Sequence, residues 1–191
     1  EEYHDGAGDS VTTGDMDADG YDDVLLGARA AGTRGVVYLV QGPISGDVDL
    51  ATADGRLVGE ETSGDAGAAI ASDDADGDGY ADILITAIWS TNAVYLVLGP
   101  TSGEVSLSTA EAKFEREAEW DGTGKAVAFG DVNGDGAKDI LVGVGESFVE
   151  SFPAAYVVFG PVSGTLSLSG ADARIIGEEA DDWAGHSIAA G

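Results

Sequence analysis

The stretch GDMDADGYDDVLLGA at residues 14–28 recurs as DDADGDGYADILITA at 73–87 and as GDVNGDGAKDILVGV at 130–144. The copies are 59 and 57 residues apart, and each is followed by an apolar run closed by Gly-Pro: VVYLVQGP from Val36, AVYLVLGP from Ala93 and AAYVVFGP from Ala154. A fixed period of this length is the mark of a repeat architecture. A third element precedes each acidic run, led by Gly8, Gly67, Gly124 and Gly185. Its fourth copy ends at Gly191, so residues 178–191 match residues 1–14 at an offset of 177. The chain therefore reads as three whole repeats and one further strand, 187–190.

Each repeat offers four short strand candidates, which in the first are 10–13, 24–27, 36–40 and 56–59. All are short apolar runs bracketed by Gly, Asp or Pro, the signature of strands between tight turns. The last two are joined by GPISGDVDL, matched by GPTSGEVSL from Gly99 and GPVSGTLSL from Gly160, which reads as a surface turn ending in an apolar anchor. Residues 109–113 alone suggest a helical turn. Four strands in every 57 to 61 residues suit the antiparallel four-stranded blade of a β-propeller, with a solenoid as the lesser alternative. The expected fold is all-β: three full blades plus one extra strand, with repeats at 9–67, 68–124 and 125–185 and a partial fourth at 186–191. Such a ring needs about four to eight blades, so it stays incomplete unless copies assemble or the segment 1–191 belongs to a longer chain.

Composition supports a folded, acidic chain. There are 36 Asp plus Glu against 8 Lys plus Arg, a net charge of -28, with 43% hydrophobic residues and 30 Gly. That charge makes bare nucleic acid or an anionic membrane surface a poor partner. No apolar run reaches the roughly 18 residues of a membrane span, so membrane insertion is not expected. No Cys is present, which excludes disulfides and thiolate-ligated metals.

The acidic runs carry the chemistry. Oxygen side chains stand at loop positions one, three, five and nine: Asp15, Asp17, Asp19 and Asp23; Asp74, Asp76, Asp78 and Asp82; Asp131, Asn133, Asp135 and Asp139. Position six is Gly20, Gly79 or Gly136, suited to a sharp turn around an ion. Position seven varies between Tyr21, Tyr80 and Ala137, as expected where only the backbone carbonyl is used. Crowded carboxylates repel unless a hard cation lies between them, and an all-oxygen set with this turn suits Ca²⁺ better than Mg²⁺ or a transition metal. The alternative is a hairpin loop held by Asx-turns with solvated carboxylates; three loops in phase favour three calcium sites. An EF-hand would need an acidic residue at position twelve, and Leu26, Ile85 and Val142 stand there inside strand-like runs. The third loop, with Asn133 in place of a carboxylate, is expected to bind most weakly.

These elements resemble the FG-GAP repeats of integrin α-subunit β-propellers: a Gly-containing strand, a DxDxDGxxD hairpin loop, an apolar strand ending in Gly-Ala, and a G-x-V-Y-V-type strand. The resemblance spans the chain. The Phe-Gly that names the family is degraded to Ala7-Gly8, Ala66-Gly67, Thr123-Gly124 and Ala184-Gly185, and the Gly-Ala-Pro element to Gly27-Ala28, Thr86-Ala87 and Gly143-Val144, which suggests a divergent, microbial member. It implies about seven blades in a full ring, calcium loops on one face, partner binding on the other, and an extracellular or cell-surface setting.

No catalytic constellation accompanies His4 and His186, and no enzyme activity is expected. Trp89, Trp120 and Trp183 make sugar stacking conceivable, although packing between blades is the plainer reading. Tyr38, Tyr95 and Tyr156 read as packing residues, and Glu115, Glu117 and Glu119 as a solvated strand face. The function expected is a calcium-binding structural and interaction module, adhesion-like, with an unknown protein or glycan ligand. A self-assembling homo-oligomeric propeller fragment and the non-catalytic part of a secreted hydrolase or lyase are the alternatives.

Overall fold

The computed structural model describes residues 5–89, 92–117, 122–145, 153–179 and 182–190. Its strands, in chain order, are β1 (Ala7–Gly14), β2 (Asp23–Ala28), β3 (Val36–Val40), β4 (Gly55–Val58), β5 (Ala66–Asp73), β6 (Asp82–Ala87), β7 (Ala93–Val97), β8 (Gly103–Ser106), β9 (Ala112–Glu115), β10 (Thr123–Gly130), β11 (Asp139–Val144), β12 (Ala154–Val158), β13 (Gly164–Ser167) and β14 (Ala173–Ile176). They form three all-β blades in which each repeat contributes four antiparallel strands: β1-β2-β3-β4, β5-β6-β7-β9 and β10-β11-β12-β14.

Two blades carry a fifth strand that the sequence reading takes for a turn. In the second repeat β8 pairs in parallel with β4 of the first blade, and in the third β13 pairs in parallel with β9 of the second. Each repeat thus latches onto the outer edge of the one before it. The helical turn expected at 109–113 falls instead on the 3-10 turn Leu107–Thr109, and Ala112–Glu115 is strand. Ser106 caps the start of that turn by accepting from the Ser108 N–H, and Ala110, with ψ at 148, ends it after three residues.

The apolar core lies between blades. One cluster joins Leu25, Leu39 and Leu57 of the first blade to Ile83, Ile85 and Tyr95 of the second. Another joins Leu84, Leu96 and Phe114 of the second to Val127, Val142 and Tyr156 of the third. Consecutive residues of β6 therefore face opposite neighbours, and all six are buried, which explains its central apolar run of Ile83, Leu84 and Ile85. The three hydroxyl-bearing rings Tyr38, Tyr95 and Tyr156 are buried, as their packing role requires.

The inner strands begin with a bulge at the degraded Phe-Gly position. Pairing shifts between Ala7 and Ser10, Ala66 and Ile70, and Thr123 and Ala126. Gly67 sits at φ +93 inside its bulge, and its carbonyl lies 2.1 Å from where a Cβ on Gly27 would stand. Two glycines from successive repeats thus bring the blades into backbone contact. The fourth copy of this element occupies the corresponding place on the third blade: the Gly185 carbonyl lies 2.0 Å from a Cβ built on Gly143, and Ile188 packs on Ala128, Leu141 and Val157. Residues 188–190 form no ladder.

Candidate metal centre

Each acidic loop connects the innermost strand of a blade to the next and stands at the same end of all three blades. Loop one joins β1 to β2, loop two β5 to β6, and loop three β10 to β11. The turn depends on the position-six glycine. Gly20, Gly79 and Gly136 have φ of +90, +92 and +92, with open space where a Cβ would stand, so backbone conformation rather than crowding calls for glycine.

The loop carboxylates converge. Ligand oxygens of Asp15, Asp17 and Asp19 lie within 4.8 Å of one another, and so do those of Asp74, Asp76 and Asp78. Backbone N–H groups orient them. Asp15 accepts from Asp19 and Gly20 at 3.1 and 2.9 Å, and Asp19 from Tyr21 at 2.8 Å. In the second loop Asp74 accepts from Gly77 and Gly79, and Asp78 from Tyr80. The third loop repeats the arrangement with Asp131 accepting from Gly134 and Gly136, and Asp135 from Ala137. There the amide of Asn133 donates to Asp135 at 2.9 Å, neutralising part of the repulsion that two carboxylates would leave. Several like charges this close, all oxygen-bearing and exposed at positions three and five of the first two loops, fit a hard divalent cation.

The position-nine residues do something further. Asp23, Asp82 and Asp139 are wholly buried. One oxygen of each accepts from the N–H at loop position two, Met16, Ala75 or Val132, at 2.8–2.9 Å. The other accepts from Gly42, Gly99 or Gly160, at 2.7, 2.8 and 3.1 Å. Those glycines open the Gly-Pro turns, whose peptide bonds are all cis. A Cβ on Gly99 would come within 2.7 Å of Tyr80 and 2.8 Å of the Ala81 carbonyl, so only glycine lets the turn approach the loop this closely. Burial raises the pKa of Asp23 and Asp82 despite these hydrogen bonds, and the acidic neighbours in each loop push in the same direction. Position nine therefore clamps the acidic loop to the turn between the third and fourth strands. Sequence spacing could not reveal this second role, since the partner N–H lies 17 to 21 residues downstream.

Other singled-out residues fall into place. Glu117 is exposed as expected, and its carboxylate also accepts from the Tyr156 hydroxyl and pairs with Arg174 at 3.2 Å, a contact between blades two and three. Glu60 does the same between blades one and two, accepting from Tyr95 and Lys113, each at 2.8 Å. Trp89 and Trp183 are exposed, and Trp183 lies with its ring centroid 5.2 Å from that of His186. His4, Glu119 and Trp120 lie outside the described residues.

Stacked four-stranded blades bearing in-phase acidic hairpin loops define a propeller-type repeat array. Comparison with known proteins agrees: the FG-GAP repeat profile matches residues 7–40 and the FG-GAP-like repeat profile residues 74–142. The chain is a segment of FG-GAP repeats. Phosphatidylinositol-glycan-specific phospholipase D of Bos taurus is 29% identical over 202 residues, covering 94% of this chain and 24% of that protein. The Homo sapiens counterpart is 28% identical over the same shares. Integrin alpha pat-2 of Caenorhabditis elegans is 34% identical over 115 residues, 54% of this chain and 9% of the integrin. The chain thus spans a quarter or less of the length of these relatives. Among the described residues no helix is long and apolar enough to cross a membrane.

Proposed function

We propose that the chain is a calcium-binding, non-catalytic propeller module serving as a structural and protein- or glycan-interaction unit of a larger secreted or cell-surface protein. The observation that carries this is the convergence of three loop carboxylates within 4.8 Å at the same place in successive repeats. Asp15, Asp17 and Asp19, Asp74, Asp76 and Asp78, and Asp131, Asn133 and Asp135 would supply side-chain ligands, and Tyr21, Tyr80 and Ala137 backbone carbonyls. Asp23, Asp82 and Asp139 would anchor each site, any unused lone pair turned to the ion. A bound cation would offset the loop's repulsion and tie the first hairpin of each blade, so its role is to stiffen rather than to react. The phospholipase D match over nearly the whole chain favours a second reading, in which the module is the non-catalytic part of a secreted hydrolase. The fold itself leaves the ligand open.

Thermal melting with calcium against excess EGTA tests the metal, with calorimetric titration to resolve the sites. Calcium at a hundred times its dissociation constant should stabilise each occupied site by about 2.7 kcal/mol. The third site should be weakest, and Asn133→Asp should strengthen it. Melting curves that superimpose in calcium and EGTA would remove the assignment.

A further inference from the structure

We propose that the seam between the second and third blades holds a binding site for a small aliphatic ammonium ion, a ligand with a cationic head and an alkyl stem. A cavity of about 270 Å³ opens there, at the end that carries the acidic loops. Leu96, Leu98, Ile140 and Pro161 supply an apolar wall, and Asp76 and Glu111 bring carboxylates to it. At roughly 30 Å³ for each water, that volume equals about nine waters, which suits a ligand with a similar number of heavy atoms.

The seam between the first and second blades is built from equivalent positions, and four exchanges of residue set the two apart. Met16, wholly buried among Leu39, Ala81 and Ile83, fills the first seam, and Ala75 stands in its place in the second. The Ala81 N–H donates to the Asp15 carbonyl at 2.8 Å and ties the first two loops together. Lys138 takes the place of Ala81 in the third loop, and its ammonium pairs instead with Asp73 at 2.6 Å. Gln41 donates to Asp17 at 2.9 Å, whereas the Leu98 side chain at that position has nothing to donate to Asp76. The fourth exchange puts Glu111 where the first blade has Asp54.

These exchanges also select the charge of the ligand. Asp54 and Asp172 accept from the backbone N–H of Gln41 and Phe159, at 2.9 and 2.8 Å. Glu111 holds the same place in the second blade with a side chain one methylene longer, and among the described residues its carboxylate accepts no hydrogen bond and forms no ion pair. Lys138, the cation that lines the cavity, is already held by Asp73. A ligand entering here meets two carboxylates without a basic partner and one ammonium that has one, so a positive head is attracted and a negative head repelled. The apolar wall is better covered by an alkyl stem than by water. Calcium in the second loop would draw on Asp76 and leave Glu111 to the ligand.

Hexylammonium, titrated into the full chain while leucine and isoleucine methyl resonances are followed by NMR, tests this in calcium and again in EGTA. Both conditions report on the same methyls, so the result does not hang on the calcium assignment. Saturable shifts are expected at Leu96, Leu98 and Ile140, with a dissociation constant on the order of a millimolar, and none with hexanoate. Glu111→Gln, at an exposed position that leaves the packing alone, should weaken binding about fivefold. Ala75→Met should fill the cavity as Met16 fills the first seam, abolishing the shifts and raising the melting temperature. Hexylammonium without effect on these methyls, or hexanoate that binds as well, would overturn the proposal. So would shifts as large in the first acidic loop as at the cavity, or an Ala75→Met chain that binds like wild type. Should Ala75→Met fail to fold, Glu111→Gln and the hexanoate comparison still decide the matter.

Discussion

The outer edges of the second and third blades are built from equivalent residues and end in opposite environments. Phe114 in β9 is wholly buried under β13, while Ile175 at the same place in β14 is 63% exposed. Their flanking strands, turns and acidic loops are alike. The difference is that β13 lies on β9, whereas among the described residues no strand lies on β14. A blade of this chain is therefore a local structure up to its third strand, and its fourth becomes core only when the next repeat donates a strand and an apolar turn.

Truncation should expose this contrast most strongly. Phe114→Ala is expected to cost about 3–5 kcal/mol in urea unfolding, and Ile175→Ala less than about 0.5 kcal/mol at dilutions where the chain is single. Equal costs at the two positions would erase the distinction. The position-nine clamp should behave in the opposite way, because it is made within one repeat. Asp82→Ala and Asp139→Ala, measured in EGTA, should each lose about 2–4 kcal/mol by leaving two backbone N–H groups without an acceptor, regardless of which blade is open. A large gap between them would show that neighbours reach into the loops after all.

The smallest expected effect is a pH dependence at the bridging glutamates. Hydrogen bonds from Lys113 and then Tyr95 hold Glu60 below its ordinary pKa of 4.5. Its stabilisation is therefore complete above that value and is lost as pH falls through the lower folded value. The stability gap between wild type and Glu60→Gln, about 1 kcal/mol in neutral solution, should close as the pH falls below the ordinary glutamate pKa.

Strand positions were legible in the sequence wherever their limits are set by adjacent residues. The expected strands 10–13, 24–27, 36–40 and 56–59 differ from Ala7–Gly14, Asp23–Ala28, Val36–Val40 and Gly55–Val58 by at most three residues at either end, because Gly, Asp and Pro bracket them. The fifth strands were not legible, and the first repeat shows why. Its GDVD at 46–49 has the pattern of GEVS at Gly103–Ser106, yet only the latter is strand, since only it has a blade edge to lie on. The convergence of loop positions one, three and five was read from spacing and is seen in the first two loops. The clamp at position nine escaped for the same reason as the fifth strands: its partner, a Gly-Pro turn, is distant in the chain.

The interlock also sets an order of events for a chain made from its N-terminus. β4 is complete when Val58 has left the ribosome, but its edge stays open until Gly103–Ser106 follows, and β9 waits in turn for Gly164–Ser167. At every stage of synthesis one adhesive edge is bare while the blade behind it is finished. A net charge of -28 sets like-charged copies against one another over that interval, so the acidity that crowds the loops also opposes pairing of the bare edges.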